Sequence, residues 1–329
     1  METSMLSITH CRRTIVAAAL AVAAGTGAAG PFTGGHVTIV VGSLPGSSFD
    51  NAARLVAEPL AKEWGVPVVV DNRPGASMMI AAAHVAKAAP DGRTLLLGAT
   101  PFVQAPHLVP QPAYDPIAGF TPLAQVFNAR LWLAINAAIP AKTVAEFASL
   151  ARKPDARYSF SSPGNGSTPH LNMAVLMQQA RVNLLHVPYK AIPPAVMDVA
   201  TGQVTAVFAS YSDLLPHVQT GKLRILASTG TKRSDLSKEV PTFREAGWTG
   251  FDTVGFGGLL APAATPAPLA GEIAKSLQTV LQRPELKARM LVLGLEPVDD
   301  TTQQAFGRVV REQTAFWKKV ITDSGIKAE

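Results

Sequence analysis

The sequence predicts an α/β protein folded as two lobes, and three observations carry that expectation. From Val37 onward, short β-branched runs alternate with longer amphipathic stretches at the spacing of βαβ units. The alternation falls into two sets, divided near residues 127–130. The C-terminal part then shows a single strand-like run among helices, too little sheet for a third domain, so it is expected to return and complete the first lobe.

Each element has its own signal. In the first set, residues 37–41 read as a buried strand, Pro45-Gly46 as a turn and residues 50–64 as a helix with Ala53, Leu55, Val56 and Leu60 inward. Residues 66–70 follow as a strand, Asn72-Arg73-Pro74-Gly75 as a turn, 79–88 as a helix and 94–97 as a third strand, giving a parallel sheet with two crossovers. In the second set, strands are expected at 131–135, 158–161, 184–187, 204–209 and 223–228, with helices at 144–151, 168–180, 194–200 and 212–220. The tail reads as a strand at 256–260 and helices at 269–281, 284–293 and 303–323. The expected division is therefore 30–128 with 251–329 in one lobe and 129–250 in the other. Two crossings, near 127–130 and 250–253, make a hinge, and a ligand would sit in the cleft where strand ends and helix N-termini converge.

With 329 residues, 47% of them hydrophobic, the chain is long enough for both lobes. The net charge of +6 is dispersed, its longest basic runs being the pairs Arg12-Arg13, Lys232-Arg233 and Lys318-Lys319. Aromatics, at 6%, do not interleave with them, so the footprint of a nucleic-acid binder is missing. Arg12 and Arg13 precede an apolar run at 14–24 and small residues at 25–30, the three parts of a secretory leader, so residues 1–29 are expected to be cleaved after Ala29 and the protein to be periplasmic. The apolar run is shorter than the roughly 20 residues of a membrane span. Cys11, the sole cysteine, leaves with the leader.

The most informative segment is Ser161 to His170, through Ser162, Pro163, Gly164, Asn165, Gly166, Ser167, Thr168 and Pro169, which follows a strand and opens a helix. Gly164 and Gly166 permit unusual backbone angles, Ser167 and Thr168 are favoured caps and Pro169 suits a first turn. Such a loop gathers amides and hydroxyls at the positive end of a helix and suits a carboxylate or phosphate. An ordinary capped turn has the same composition. The stretch from Gly42 to Asp50 repeats the arrangement in the other lobe, with Ser47 and Ser48 as donors and Asp50 as the expected N-cap. His170 is read as a contact or a supporting group; His186 and His217 as a strand-end and a helix polar group; Arg73 as bracing its turn.

Enzymatic signatures are missing. There is no G-x-S-x-G elbow, no Walker-type phosphate loop, no complete dinucleotide fingerprint and no H-E-x-x-H, so neither a catalytic residue, a metal nor a cofactor is expected.

In order along the chain stand Pro45-Gly46 with Asp50 and Arg54, Asp71-Asn72-Arg73-Pro74-Gly75-Ala76, Ala88-Ala89-Pro90-Asp91-Gly92, Tyr114-Asp115-Pro116, Gly164-Asn165-Gly166-Ser167 with His170, His186-Val187-Pro188-Tyr189-Lys190, Gly202-Gln203-Val204, Gly221-Lys222-Leu223-Arg224 and Val240-Pro241-Thr242. In these blocks the sequence resembles the Bug-type extracytoplasmic solute receptors of tripartite tricarboxylate transporters. The resemblance implies a type II-like periplasmic binding-protein fold and a receptor that delivers a small organic acid to membrane permease subunits; the protein is expected to be a monomer and, lacking catalytic motifs, not an enzyme. It places one ligand carboxylate on Pro45, Gly46, Ser47 and Ser48 and on Gly164, Asn165, Gly166, Ser167 and Thr168, with His170 nearby. Thr100, Ser210 and Tyr211 are candidates for the far end of the ligand. The chain departs from the family at Phe49, at Ser77-Met78-Met79, where relatives are glycine-rich, and at Ala209, where relatives often carry Asp. That last change argues against amino acids and for plain or aromatic carboxylates. A solute sensor serving a signalling receptor is the competing reading; an exported hydrolase lacks its motifs.

Overall fold

A computed structural model describes residues 31–327. The expected leader, residues 1–29 with cleavage after Ala29, lies outside the described residues.

The chain first lays down β1 (Val37–Val41), α1 (Ser48–Trp64), β2 (Val68–Asn72), a 3-10 turn (Ala76–Met78), α2 (Met79–Ala86), β3 (Thr94–Ala99), α3 (Thr100–Gln104), a second 3-10 turn (Ala105–His107) and β4 (Phe120–Ala129). It continues through β5 (Trp132–Asn136), α4 (Val144–Ala151), β6 (Ser159–Ser162), α5 (Thr168–Ala180), β7 (Leu185–Pro188), α6 (Ile192–Ala200), β8 (Ala206–Ala209), α7 (Tyr211–Gln219) and β9 (Leu223–Ser228). It ends with β10 (Gly255–Pro262), α8 (Ala267–Leu281), α9 (Pro284–Val292), β11 (Glu296–Pro297) and α10 (Gln303–Ser324). Two sheets result, one of six strands in the order β11-β4-β10-β3-β1-β2 and one of five in the order β7-β6-β8-β5-β9. The fold is α/β and two-lobed, each lobe a sheet flanked by helices.

The apolar runs of β1 and β3 are continuous because both faces of their sheet are covered. Ile39, Val41, Leu95 and Leu97 meet α1 and α8 on one side, while Val40 and Leu96 meet α2 and α10 on the other. Burying each of these side chains contributes about 1.5–3 kcal/mol. In the second sheet Leu133, Ile135, Phe160 and Phe208 face one core, and Trp132, Ala134, Val207 and Ala209 the other. β1 runs parallel to β2 and β3 as expected, and the returning β10 enters between β3 and β4 antiparallel to both. Glycine is required on β10, since a Cβ at Gly257 would overlap the Phe127 ring and one at Gly258 the Phe306 ring.

Several expectations shift. The second strand sits two residues later than 66–70 and takes in Asn72, whose side chain bonds the neighbouring loop. The ten-residue β4 and the short α3 and β11 were not anticipated. Thr121, Pro122, Gln125 and Asn128 break the apolar alternation of β4, and its register slips twice against β10. The returning tail therefore brings two strands to the first sheet, not one.

Between the sheets the chain passes at residues 130–131 and again through 229–254. Arg130 binds both Glu296 carboxylate oxygens through Nε, at 3.0 and 3.1 Å, and donates through Nη1 to the carbonyls of Thr229 and Lys232. Ser234 Oγ donates to the same carboxylate. One ion pair thus ties both passages to β11.

Candidate ligand-binding site

The loops after β1 and β6 share one local construction. Each ends in a glycine with positive φ, then an N-cap serine, and three residues later a side chain that takes up the glycine's amide. In the first, Gly46 N–H donates to Asp50 Oδ2 at 2.8 Å and Asp50 N–H to Ser47 Oγ at 3.2 Å, a reciprocal cap. Ser47, not Asp50, is the N-cap of α1; the carboxylate at the third position is better placed to reach back to the loop. Asp50 is buried, which works to raise its pKa, but hydrogen bonds from Arg54, Gly46 and Asn72 outweigh that and hold it below the ordinary carboxylate range. Asn72 also donates to the Ser43 carbonyl at 3.1 Å, and Ser43 and Ser47 hydroxyls lie 2.6 Å apart. Asp50 is accordingly a brace.

In the second loop, Gly166 N–H donates to His170 Nδ1 at 3.1 Å, and Ser167 Oγ to the Gly164 carbonyl at 2.7 Å. Gly164 N–H donates to Ser162 Oγ, which lies 2.7 Å from His186 Nε2. The His170 and His186 rings stack at 4.1 Å, and Phe160 lies against both. Burial, then His186, pushes the His170 pKa down to about 4. Sequence reasoning did not connect His186 with the loop, because fifteen residues, most of them helix, lie between the two histidines.

Both glycine amides are therefore used within the chain. The first amides of the two helices, at Ser48 and Thr168, have no intrahelical acceptor and are available to a ligand, as is the hydroxyl of the exposed Ser48. Around Gly46 and Gly164 there is open space, whereas Gly166 is pressed against Leu108. Thr168 Oγ1 donates to Gln104 Oε1 at 2.8 Å, a bond from α5 to α3. The chain from Met78 to Leu108 links the loops, since Met78 packs on Gly42 and Leu108 on Gly166.

The remaining candidates are placed differently. Thr100 is buried and its Oγ1 accepts the Phe256 amide at 3.1 Å, which makes it a tie between β3 and β10. Ser210 caps α7 and donates to Asp213 Oδ2 at 2.5 Å, while Tyr211 leans on Trp132 at 5.5 Å. Beside them Gly294, before β11, comes so close that an added Cβ would lie 2.7 Å from that of Ser212. Pro45 and Asn165 belong to the two loops, and Arg73 pairs with Asp71 at 2.8 Å, as a turn brace. Phe49 stacks on Phe127 at 6.2 Å and so joins the core. A groove of about 660 Å³ between α5 and α10 meets the second loop only at His170, and its Val175, Phe316 and Val320 walls offer no amide cradle.

A family model described as the tripartite tricarboxylate transporter family receptor matches residues 52–326. The chain belongs to that receptor family. Its members are solute-binding receptors and not enzymes. Among solved structures, this receptor is similar to the periplasmic binding protein BugD, with 31% identity, coverage of 91% of this chain and 100% of BugD, and a TM-score of 0.77. It is also similar to a Rhodopseudomonas palustris protein with adipate, at 30% identity, 89% and 98% coverage and a TM-score of 0.78. MatC from R. palustris, with bound malate, matches at 29% identity, 87% and 98% coverage and a TM-score of 0.75. Among the described residues of the receptor no helix is long and apolar enough to cross a membrane.

Proposed function

We propose that this receptor is exported to the periplasm, captures a small organic carboxylate between its lobes and hands it to the permease of a tripartite transporter. The observation that carries the reading is the repeated loop: on each sheet a glycine–serine turn leaves the first amide of a helix without a protein acceptor, at the end where the dipole favours an anion. Malate and adipate, carried by the two R. palustris relatives, are both dicarboxylates. In this reading the ligand lies between lobes made of residues 30–128 with 251–329 and of 129–250, which close like a hinged trap. Its carboxylate is held at Pro45, Gly46, Ser47, Ser48 and Gly164, Asn165, Gly166, Ser167, Thr168. Gly46 and Gly166 serve by shape, their amides being spent on Asp50 and His170. With Ala209 apolar and buried, the far end suits plain or aromatic acids over amino acids.

Calorimetry with malate, adipate, benzoate and aspartate tests this directly. Binding of one of the first three, and its loss by at least about a hundredfold when Ser48 and Ser167 are both replaced by Phe in a chain that keeps its near-UV spectrum, is the expected result. Tight aspartate binding alone, or an affinity indifferent to both substitutions, overturns it.

A further inference from the structure

The second loop rests on two imidazoles. His170, 9% exposed, meets Gly166 N–H with Nδ1, so that nitrogen is without a proton and the neutral ring carries its hydrogen on Nε2. His186 Nε2 faces Ser162 Oγ, and Ser162 Oγ in turn accepts from Gly164 N–H at 3.2 Å and lies 3.1 Å from the Gly164 carbonyl. The glycines on both sides of Asn165 are therefore each governed by one ring of a stacked pair.

We propose that His170 and His186 are positioning residues for the carboxylate loop, and that a proton placed on His170 Nδ1 unlatches Gly166 and lowers affinity for the anion. The proposal rests on the carboxylate reading above. A charged imidazole has donors only, so protonated His170 would turn N–H against the Gly166 N–H. His186 differs, because Ser162 Oγ can accept from Nε2–H as well as donate to the bare nitrogen. The pair thus tolerates a proton on His186 and not on His170. Two charges 4.1 Å apart in a stacked, mostly buried pair repel strongly, which further favours a neutral His170.

The neighbouring elements contribute few other charges. β6 and β8 carry none, and α3 presents the neutral Gln104. Lys319 and Asp323 of α10 line the groove that His170 borders, and His107 lies on the turn before Leu108. Lys319 and Asp323 bind each other across one helical turn, and His170 is held neutral by burial first and then by His186.

Amide hydrogen exchange and NMR on the full chain test the assignment without any ligand. His170→Phe keeps the stacked shape and removes the acceptor; His170→Asn restores an acceptor near the Nδ1 position. Exchange at Gly166 is expected to quicken about tenfold or more in the Phe variant and to return most of the way in the Asn variant. With adipate as probe, affinity should weaken in the same order. In the unaltered protein, the Gly166 amide resonance should move together with the His170 ring signals on acidification, a measurement that stands even if the Phe variant does not fold. A Gly166 amide that stays still while His170 titrates, or that exchanges equally in all three proteins, overturns the assignment. Absence of heat with malate and adipate, with Gly166 still following His170, would instead sink the carboxylate reading and leave the positioning role standing.

Discussion

His170 is a base whose folded pKa lies near 4, below its ordinary 6.5. Its neutral form is the one the fold favours, so the stability it supports is whole above about pH 6.5 and drains away as pH falls toward 4. The span of the shift corresponds to about 3 kcal/mol. Urea unfolding at pH 7 and pH 4.5 should show a steeper acid loss in the unaltered receptor than in His170→Asn; parallel losses would refute the assignment. The residue scale is also where sequence reasoning was least complete. Ser167 and Thr168 were read correctly as the start of a helix, but a serine and an aspartate three apart both pass as caps, and only the reach of the Asp50 carboxylate back to Gly46 decides between them. Thr100 reads as a ligand candidate because it follows a strand; that its oxygen also accepts the Phe256 amide, 156 residues on, is not legible in sequence.

The turn from Gly75 to Met78 has the most strained backbone of any element. Ala76, Ser77 and Met78 hold φ of 46°, 51° and 73°, left-handed angles that cost a non-glycine residue roughly 1–2 kcal/mol each. Met78 is the side chain that packs on Gly42, while Ser77 is exposed. Ser77→Gly should therefore raise the unfolding free energy by about 1 kcal/mol, and Met78→Gly should lower it because the lost burial exceeds the relieved strain. Reversed signs in urea titrations would show the turn to be built otherwise. Elements with clear signals were legible: α4, α5 and β9 fall on the expected residues, α5 through Ser167 and Pro169 at its start and not through a helical period. β4 was not, since a strand whose polar positions bond along and across the sheet, as Gln125 and Asn128 do, loses the alternation that reveals strands.

At the scale of the molecule, Arg130 and Glu296 hold together three distant segments of chain with side chains only 9% and 12% exposed. Removing one charge leaves the other enclosed without a partner, so Glu296→Gln should cost about 3–5 kcal/mol. The same variant should increase the radius of gyration of the ligand-free receptor in X-ray scattering, because the pair ties both passages between the sheets; an unchanged radius would confine the pair to a local role. The two-lobed plan was legible from the order of strands and helices, since it follows from where the chain leaves one sheet and returns to it. The tie across the passages was not, because Arg130 and Glu296 stand 166 residues apart.

Gly294 and Ser212 set how near the turn before β11 lies to the first turn of α7. A side chain at 294 would meet the Ser212 Cβ at 2.7 Å, so the closeness of the two elements depends on a residue that has none. With φ at 70° as well, position 294 favours glycine twice over, and any larger residue there would wedge the turn before β11 away from α7.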